Sequence, residues 1–198
     1  VLAALLPNEG EVHGLVALME LQRSRFAARE RSTGEAVLLA DQDRTRWDHS
    51  QIARGIAALQ RADAAAAARG IGRGSYALQA GIAREHSIAV SVETTDWIEI
   101  VRLYSALEAI APGPVVILNR AIAVSMADGP AAALILVDEL AATGALRGSP
   151  MIPSVRGELL ARLGRSWEAV EQCEPAAALT TAARQRDVLL AKAATAAR

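Results

Sequence analysis

Cysteine, lysine and aromatic residues are all scarce in this sequence, and each scarcity excludes a class of structure. The single cysteine, Cys173, excludes an intrachain disulfide and a cysteine-built zinc site. The single lysine, Lys192, excludes a lysine-based phosphate loop or Schiff base in the rest of the chain. With three Trp, two Tyr and one Phe among 198 residues, the core must be built mainly from Ala, Leu, Ile and Val.

Long apolar runs and an excess of one charge sign are also missing. No uninterrupted apolar segment approaches the roughly 18 residues of a membrane span, so we expect no membrane contact. The formal net charge is −1 and the basic residues are scattered, which leaves no electrostatic footprint for direct contact with nucleic acid. The lone cysteine favours a reducing compartment, and we expect a cytoplasmic location.

Alanine and leucine are abundant, and both favour helices, so the sequence predicts an all-α fold. Helix starts are expected where Asn8 pairs with Glu11 and where Asp48 pairs with Gln51, as in capping boxes, and Ser75 is expected to cap a third helix. The first helix should run to about Arg29 and bury one apolar face, made of Val12, Leu15, Val16, Met19 and Phe26. A later face is expected from Trp97, Ile100, Val101, Tyr104 and Leu107.

The second half of the chain carries a repeat of small residues at helical spacing. Gly157, Leu160, Gly164, Ala169 and Cys173 have counterparts about 36 residues earlier, namely Ala121, Val124, Asp128, Ala133 and Val137. This period and pattern resemble tetratricopeptide (TPR) repeats. We therefore expect antiparallel helix pairs stacked as a TPR-like right-handed solenoid. The expected organisation is one continuous domain, with an N-terminal helical part at 1–74, an irregular connector near residues 31–47, and TPR-like repeats at 75–198.

Helix boundaries in this half follow from proline and glycine. Pro112, Gly113 and Pro114 should end one helix, and the next is expected from Val115 to Ala127. Gly129-Pro130 should open a further helix, because proline is favoured in a first turn. A loop from Gly144 to Pro153 should precede three further helices, at Ser154 to Leu163, Ser166 to Leu179 and Thr181 to Ala197. Pro175 should kink or shorten the second of these.

The stretch LLADQDRTRWD, from Leu38 to Asp48, is the strongest candidate for a functional segment. As a calcium loop it fails, because Arg46 stands where glycine is needed and Ile52 where a bidentate acid is needed. Residues 37–45 match the apolar strand and D-x-D-x-T motif of a magnesium-dependent phosphatase, in which Asp41 would attack phosphorus and Asp43 would handle the proton. That chemistry also needs a parallel sheet and a second acidic cluster, for which the sequence holds no sign.

The alternative is a structural role for the same stretch. Trp47 would be a buried anchor and Asp48 a helix cap, while Asp41 or Asp43 would pair with Arg44, Arg46 or arginines of the next helices. The three histidines show no metal-ligand spacing, so they are expected to face solvent or cap helices. No metal or cofactor is expected.

Four blocks and a following DGP resemble one bacterial family. The blocks are PNExEVxGLxALM from Pro7, LLxDQDRxRWD from Leu38, TDWxxIxxLY from Thr95 and PVVxLNRAxAV from Pro114. Together they resemble the C-terminal TPR-like extension of a subgroup of extracytoplasmic-function (ECF) RNA polymerase sigma factors. Because the chain begins at Val1 in what looks like the middle of a helix, we expect a fragment whose promoter-reading domains lie upstream.

The resemblance implies a regulatory, non-catalytic role in transcription initiation. The expected partners are the protein's own sigma domains, core RNA polymerase, or both, and a regulatory protein held in the concave face of the repeats is a further option. Exposed residues of first helices, for instance Asn119 and Arg120, are candidates for contact with such a partner. An inter-helix hydrogen bond is an equally good account of Asn119.

Overall fold

The described part of the chain is helical throughout. The computed structural model describes residues 2–30 and 37–179, and the all-α prediction is confirmed there, since no β-strand occurs in either range. Short 3-10 helices cover Phe26–Ala28, Leu39–Asp41 and Arg44–Arg46. The α-helices are α1 (Leu2–Leu5), α2 (Gly10–Arg23), α3 (His49–Ala68), α4 (Ser75–Ile88), α5 (Trp97–Ile110), α6 (Pro114–Ala127), α7 (Pro130–Ala142), α8 (Met151–Arg162) and α9 (Ser166–Leu179).

The chain forms two compact units. The first covers Val1–Ala111 and contains α1 to α5, and the second covers Pro112–Arg198 and contains α6 to α9. Gly74 and Ser75, where the sequence suggested a division, lie inside the first unit. Among the described helices, none is long and apolar enough to cross a membrane.

In the first unit, α2 packs against both α3 and α4, and α5 packs against α4. Glycine and alanine line these contacts, and their small side chains allow the helix backbones to approach closely. A Cβ atom on Gly14 would lie 2.6 Å from the backbone nitrogen of Ala77, and one on Gly55 would lie 2.7 Å from Cγ of Leu21. The buried cluster around them is Ala17, Leu21, Ala28, Trp47, Ile52, Ala58, Leu59, Ala62, Ala77, Ala80 and Ala83.

The buried face of α2 is not the one expected from its large apolar residues. Helix α2 ends at Arg23 rather than near Arg29, so Phe26 lies in the following 3-10 helix, where it is 56% exposed. Met19 of α2 is 62% exposed, whereas the buried residues of α2 are His13, Gly14, Ala17 and Leu21. That prediction was wrong for Met19 and Phe26. Small residues occupy the buried face of α2 because only they permit α3 and α4 to lie so close to it. His13 is also buried, so the expectation of a solvent-facing or capping histidine fails there; its Nε2 lies 2.8 Å from the carbonyl oxygen of Pro7.

The helix caps show which local signals hold. The Asp48 carboxylate accepts a hydrogen bond from the Gln51 backbone N–H at 3.0 Å, so the predicted cap of α3 is confirmed. The predicted cap at Asn8 is wrong, since α2 begins after Glu9 and has no side-chain cap. Ser75 does not cap α4 either, because Gly74 occupies the N-cap position.

Glu11 caps a different helix from the one expected. Its carboxylate accepts hydrogen bonds from the backbone N–H groups of Tyr76 at 2.9 Å and Ala77 at 3.2 Å, and from the Ser75 hydroxyl at 3.3 Å. A carboxylate at a helix N-terminus binds otherwise unpaired N–H groups and interacts favourably with the helix dipole. An acid in the first turn of α2 therefore stabilises the start of α4.

The second unit is built from helices that pack in adjacent pairs. Helix α6 packs against α7, α7 against α8 and α8 against α9, and α6 also contacts α8, as expected for stacked helix pairs. Pro130 occupies the first turn of α7, as predicted, and Pro114 opens α6 one residue before the predicted start at Val115. A Cβ atom on Gly157 would lie 3.0 Å from Cys173 Sγ, so the close approach predicted at this glycine is confirmed.

Two details of the second unit differ from expectation. Helix α8 begins at Met151, inside the segment predicted as a loop, with Pro153 in its first turn. Helix α9 continues past Pro175 to Leu179, so the proline does not shorten it. The helix predicted from Thr181 to Ala197 lies outside the described residues.

The Gly14 contact gives a stability prediction. Alanine would favour the helix interior by about 1 kcal/mol over glycine, but overpacking against backbone atoms typically costs about 1–3 kcal/mol. We expect Gly14→Ala to lower the free energy of unfolding by about 1–2 kcal/mol in urea denaturation, because the Cβ meets backbone rather than a flexible side chain. The matched control is Gly72→Ala, where no atom lies within 4 Å of the added Cβ. Equal midpoints for both variants would contradict the close approach of α2 and α4.

Candidate functional site

The connector, residues 37–48, is tied at both ends to the segment that follows α2. The Val37 backbone N–H donates to the Arg29 carbonyl at 2.7 Å, and the Asp48 N–H donates to the Ser24 carbonyl at 2.9 Å. Between these bonds lie the 3-10 helices Leu39–Asp41 and Arg44–Arg46. The expectation of an irregular connector is therefore confirmed for its described part.

Trp47 anchors the connector in the core of the first unit. The side chain is buried, at 4% exposure, and belongs to the same apolar cluster as Ala17 and Leu21. The Arg44 guanidinium lies over its ring, with Cζ 4.8 Å from the ring centroid. This confirms the predicted buried anchor, and the stacking covers one face of the indole with a cation.

Arg44 also joins the connector to the end of α4. Its Nη1 donates to the carbonyl oxygens of His86 at 2.6 Å and Ala89 at 2.7 Å. A cation at a helix C-terminus satisfies the last carbonyls and interacts favourably with the dipole. One side chain therefore links Trp47, the connector and α4.

The acidic residues of the connector do not form the expected ion pairs. Within the described residues, neither Asp41 nor Asp43 makes a salt bridge with an arginine. Asp43 instead accepts hydrogen bonds from the Thr45 hydroxyl at 2.6 Å and the Thr45 N–H at 3.0 Å, and these bonds lower the pKa of its carboxyl group. Asp41, Asp43 and Arg46 are exposed. Charged side chains in water gain little from pairing, so a local turn prevails.

The geometry of the D-x-D-x-T letters differs from the one phosphatase chemistry requires. Asp41 ends a 3-10 helix rather than a strand, and the Asp43 carboxylate is engaged by Thr45. In residues 2–30 and 37–179, no group of three His, Cys, Asp or Glu side chains is placed to hold a metal ion.

A set of cationic and titratable side chains gathers where the end of α2, the connector and the end of α4 meet. Arg25 is buried, and burial together with Arg29 and Arg44 lowers its pKa to about 10. Burial, followed by the charges of Arg25 and Arg44, lowers the pKa of His86 to about 4. His86 is therefore neutral at pH 7, and its ring stacks edge-on against Trp97 at 5.3 Å.

Sequence reasoning missed Arg25, Arg29 and His86. Gln22, Arg25 and Arg29 recur at i, i+3 and i+7, which would place them on one side of a continued helix, and this spacing was an available signal. Nothing local connects them to His86. The connector residues and the arginines thus form one site in the first unit, although only the connector was predicted.

The other two predicted residues, Asn119 and Arg120, belong to α6 in the second unit, and both are half-buried. Asn119 lies in a row of apolar residues that recur at i, i+4, i+7 and i+11 along one side of the helix. We call this row the α6 stripe, and its members are Val115, Asn119, Ile122 and Met126. The three apolar members are between 38% and 43% exposed.

Comparison with known proteins gives one family match, which lies within the first unit. Residues 1–63 match a protein family of unknown function, DUF6596. An uncharacterized protein of Rhizobium meliloti (strain 1021) is 44% identical over 184 residues, which is 93% of this chain. The chain spans 42% of the length of that relative. No solved structure shows a significant match. The family match contains the whole connector, so the Trp47 anchor lies within the shared segment.

The anchoring role of Trp47 can be measured. Truncating a buried aromatic side chain costs about 3–5 kcal/mol, and Trp47→Ala also removes the surface on which Arg44 stacks. We expect the thermal midpoint of Trp47→Ala to fall steeply. The matched control is Trp167→Ala, because Trp167 is 67% exposed and its loss should change stability by about 0.5 kcal/mol or less. Equal midpoints for the two variants would show that Trp47 is not an anchor.

His86 gives a prediction for pH dependence. Its pKa in the folded chain, about 4, lies below the ordinary value of 6.5, so the unfolded chain binds a proton first as pH falls. The stability contributed by neutral His86 is present above pH 6.5 and is lost between pH 6.5 and 4. We expect the His86 ring signals in NMR to titrate near pH 4.

The variant His86→Phe should show a shallower loss of stability over that pH range in urea denaturation. The phenyl ring keeps a contact with Trp97, and the substitution removes the titrating imidazole. Protonation of the carboxylates destabilises both proteins alike, so the difference between them reports on His86. An NMR midpoint near 6.5, or identical acid dependence in both proteins, would contradict the burial of His86.

Proposed function

We propose that the chain is a helical protein-interaction region of a bacterial ECF sigma factor, acting in the cytoplasm. It regulates promoter-specific initiation by contacting the attached sigma domains, core RNA polymerase or a regulatory protein. The promoter-reading function belongs to other domains of the whole protein. This chain supplies a regulatory contact and no catalysis.

The observation that carries the interaction role is the α6 stripe. An amphipathic partner helix is typically recognised through apolar positions at this spacing, with polar groups setting its register. Val115, Ile122 and Met126 supply the apolar surface, and Asn119 places an amide among them. A partner contact there would bury apolar side chains that are now partly in water.

The other side of α6 is held by the second unit. Leu118, Ala121 and Val124 are buried, and α6 packs against α7. Arg162 of α8 donates to the Ser125 hydroxyl at 3.1 Å and to the Ser125 carbonyl at 3.0 Å, which fastens the C-terminal end of α6. A helix fixed in this way presents its stripe with little loss of conformational freedom on binding.

The assignment to a sigma factor rests on the resemblance of the four sequence blocks. The most specific block, LLxDQDRxRWD, is used in the first unit as an anchored connector, which is a role compatible with a binding module. The relative from Rhizobium meliloti (strain 1021) is more than twice as long as the matched part, which leaves length for further domains in that protein.

The test is transcription reconstituted from core RNA polymerase and the whole protein that carries this chain. The variant Ile122→Glu places a charge in the α6 stripe, and loss of an interface residue of this kind weakens binding by about tenfold or more. We expect altered transcript yield and weaker binding to the sigma domains or polymerase. The control is Ile98→Glu on α5, because Ile98 is exposed and lies outside the stripe.

The two parts of the proposal fail separately. Absence of polymerase binding and of promoter-specific transcripts with the unaltered protein would contradict the sigma-factor role. Equal transcription and binding by Ile122→Glu and Ile98→Glu would contradict the role of the α6 stripe. Circular dichroism of both variants confirms that the helices are retained.

A further inference from the structure

Two arginines of the first unit converge on a single neutral oxygen. Arg25 and Arg29 each donate from Nη2 to Oε1 of Gln22, at 2.5 Å and 2.8 Å. Arg29 also donates to the Gln22 carbonyl at 3.2 Å. Two guanidinium groups that share one acceptor are close in space, and an amide oxygen offsets neither charge. The positive charges of Arg25 and Arg29 therefore repel each other in this arrangement.

Arg44 adds a third positive charge to the same region. The 3-10 helix Arg44–Arg46 contacts the 3-10 helix Phe26–Ala28, which lies between Arg25 and Arg29 in the chain. The charges of Arg29 and Arg44 both lower the pKa of Arg25. We call Arg25, Arg29 and Arg44 the arginine cluster. Arg25 remains protonated at pH 7, because its pKa stays near 10.

Arg25 is the member whose environment is least satisfied. It is 8% exposed, and its Nε is buried with no hydrogen-bond partner. Arg44, by contrast, has two carbonyl acceptors at the end of α4 and the Trp47 ring beneath it. Buried charges in proteins are normally paired and fully hydrogen-bonded, because desolvation of an unpaired ion is very costly.

No acid in the described part of the chain supplies the missing charge. Within residues 2–30 and 37–179, no carboxylate forms a salt bridge with Arg25, Arg29 or Arg44. Glu93 is exposed and acts on Arg44 only through space. His86 is neutral at pH 7 and offers no negative charge.

We propose that the arginine cluster is a binding site for a phosphate group, either as inorganic phosphate or as a phosphate monoester. A guanidinium has a planar fork of donors that matches phosphate oxygens, and several forks together suit a group that carries up to two negative charges. Arg25 supplies the buried unpaired donor, and the half-buried Arg29 and Arg44 supply the approach from solvent. This site is independent of the proposed role in transcription.

The first experiment is isothermal titration calorimetry of the full chain with sodium phosphate, at pH 7 and low ionic strength. Binding is expected in the unaltered protein and should weaken at least tenfold in Arg25→Gln, which keeps a polar side chain and removes the charge. The matched control is Arg102→Gln, because Arg102 is exposed and paired with Glu99 outside the cluster, and its affinity should be unchanged. If circular dichroism shows that Arg25→Gln does not fold, the half-buried Arg29→Gln takes its place.

NMR provides a readout that a structural role for Arg25 would not move. Bound phosphate offsets the charges of Arg25 and Arg44, so the titration midpoint of the His86 ring should rise when phosphate is added. The midpoint in Arg25→Gln should not respond to phosphate. Titrations with O-phosphoserine and with inorganic phosphate distinguish a monoester from the free ion as the better ligand, and binding of either supports the site.

Three results would overturn the proposal. The first is no phosphate binding by the unaltered chain, or equal affinity in Arg25→Gln. The second is tighter binding of acetate than of phosphate, which would indicate a carboxylate site. The third is phosphate binding that appears only in Glu35→Gln, because Glu35, outside the described residues, would then be supplying the counter-charge from within the chain.

Discussion

The close approach of α2 to α3 and α4 is the constraint on which the first unit depends. Gly14 and Gly55 leave no room for a Cβ atom, and alanines such as Ala17 and Ala77 continue the same contact. Because the chain has few aromatic side chains to fill wider gaps, its core is made from many short contacts between small residues. The same packing leaves Met19 on the solvent side of α2, so the exposed surface of this helix follows from the face that must be buried.

Most of the fold could be predicted because its signals are local. Asp48 and Gln51 are three residues apart, and a proline opens both α6 and α7, so each boundary is encoded within one turn. The partner of Glu11 is about 65 residues away, which no capping pattern reveals. Hydrophobicity alone predicts that the large apolar residues of α2 are buried. The short distance between α2 and its neighbours instead selects the face with small residues.

The candidate site also contains one part that local sequence predicts and another that depends on contacts between distant residues. Trp47 could be predicted as an anchor because it is the largest apolar side chain of the connector and directly precedes the helix cap Asp48. The bonds from Arg44 to His86 and Ala89 join residues more than 40 positions apart, and the gathering of Arg25 with Arg44 depends on how α2 and α4 are packed. Asp41 and Asp43 match a phosphatase motif in sequence, but both are exposed, and Asp43 forms a local turn with Thr45.

The cap that Glu11 provides has a consequence for cooperativity. The first backbone N–H groups of α4 are satisfied by a side chain of α2, so α4 cannot keep a complete N-terminus while α2 is detached. Opening of either helix removes a contact of the other, so we expect the two to open together in hydrogen exchange. The amide protons of Tyr76 and Ala77 therefore report on the docking of a helix to which neither residue belongs.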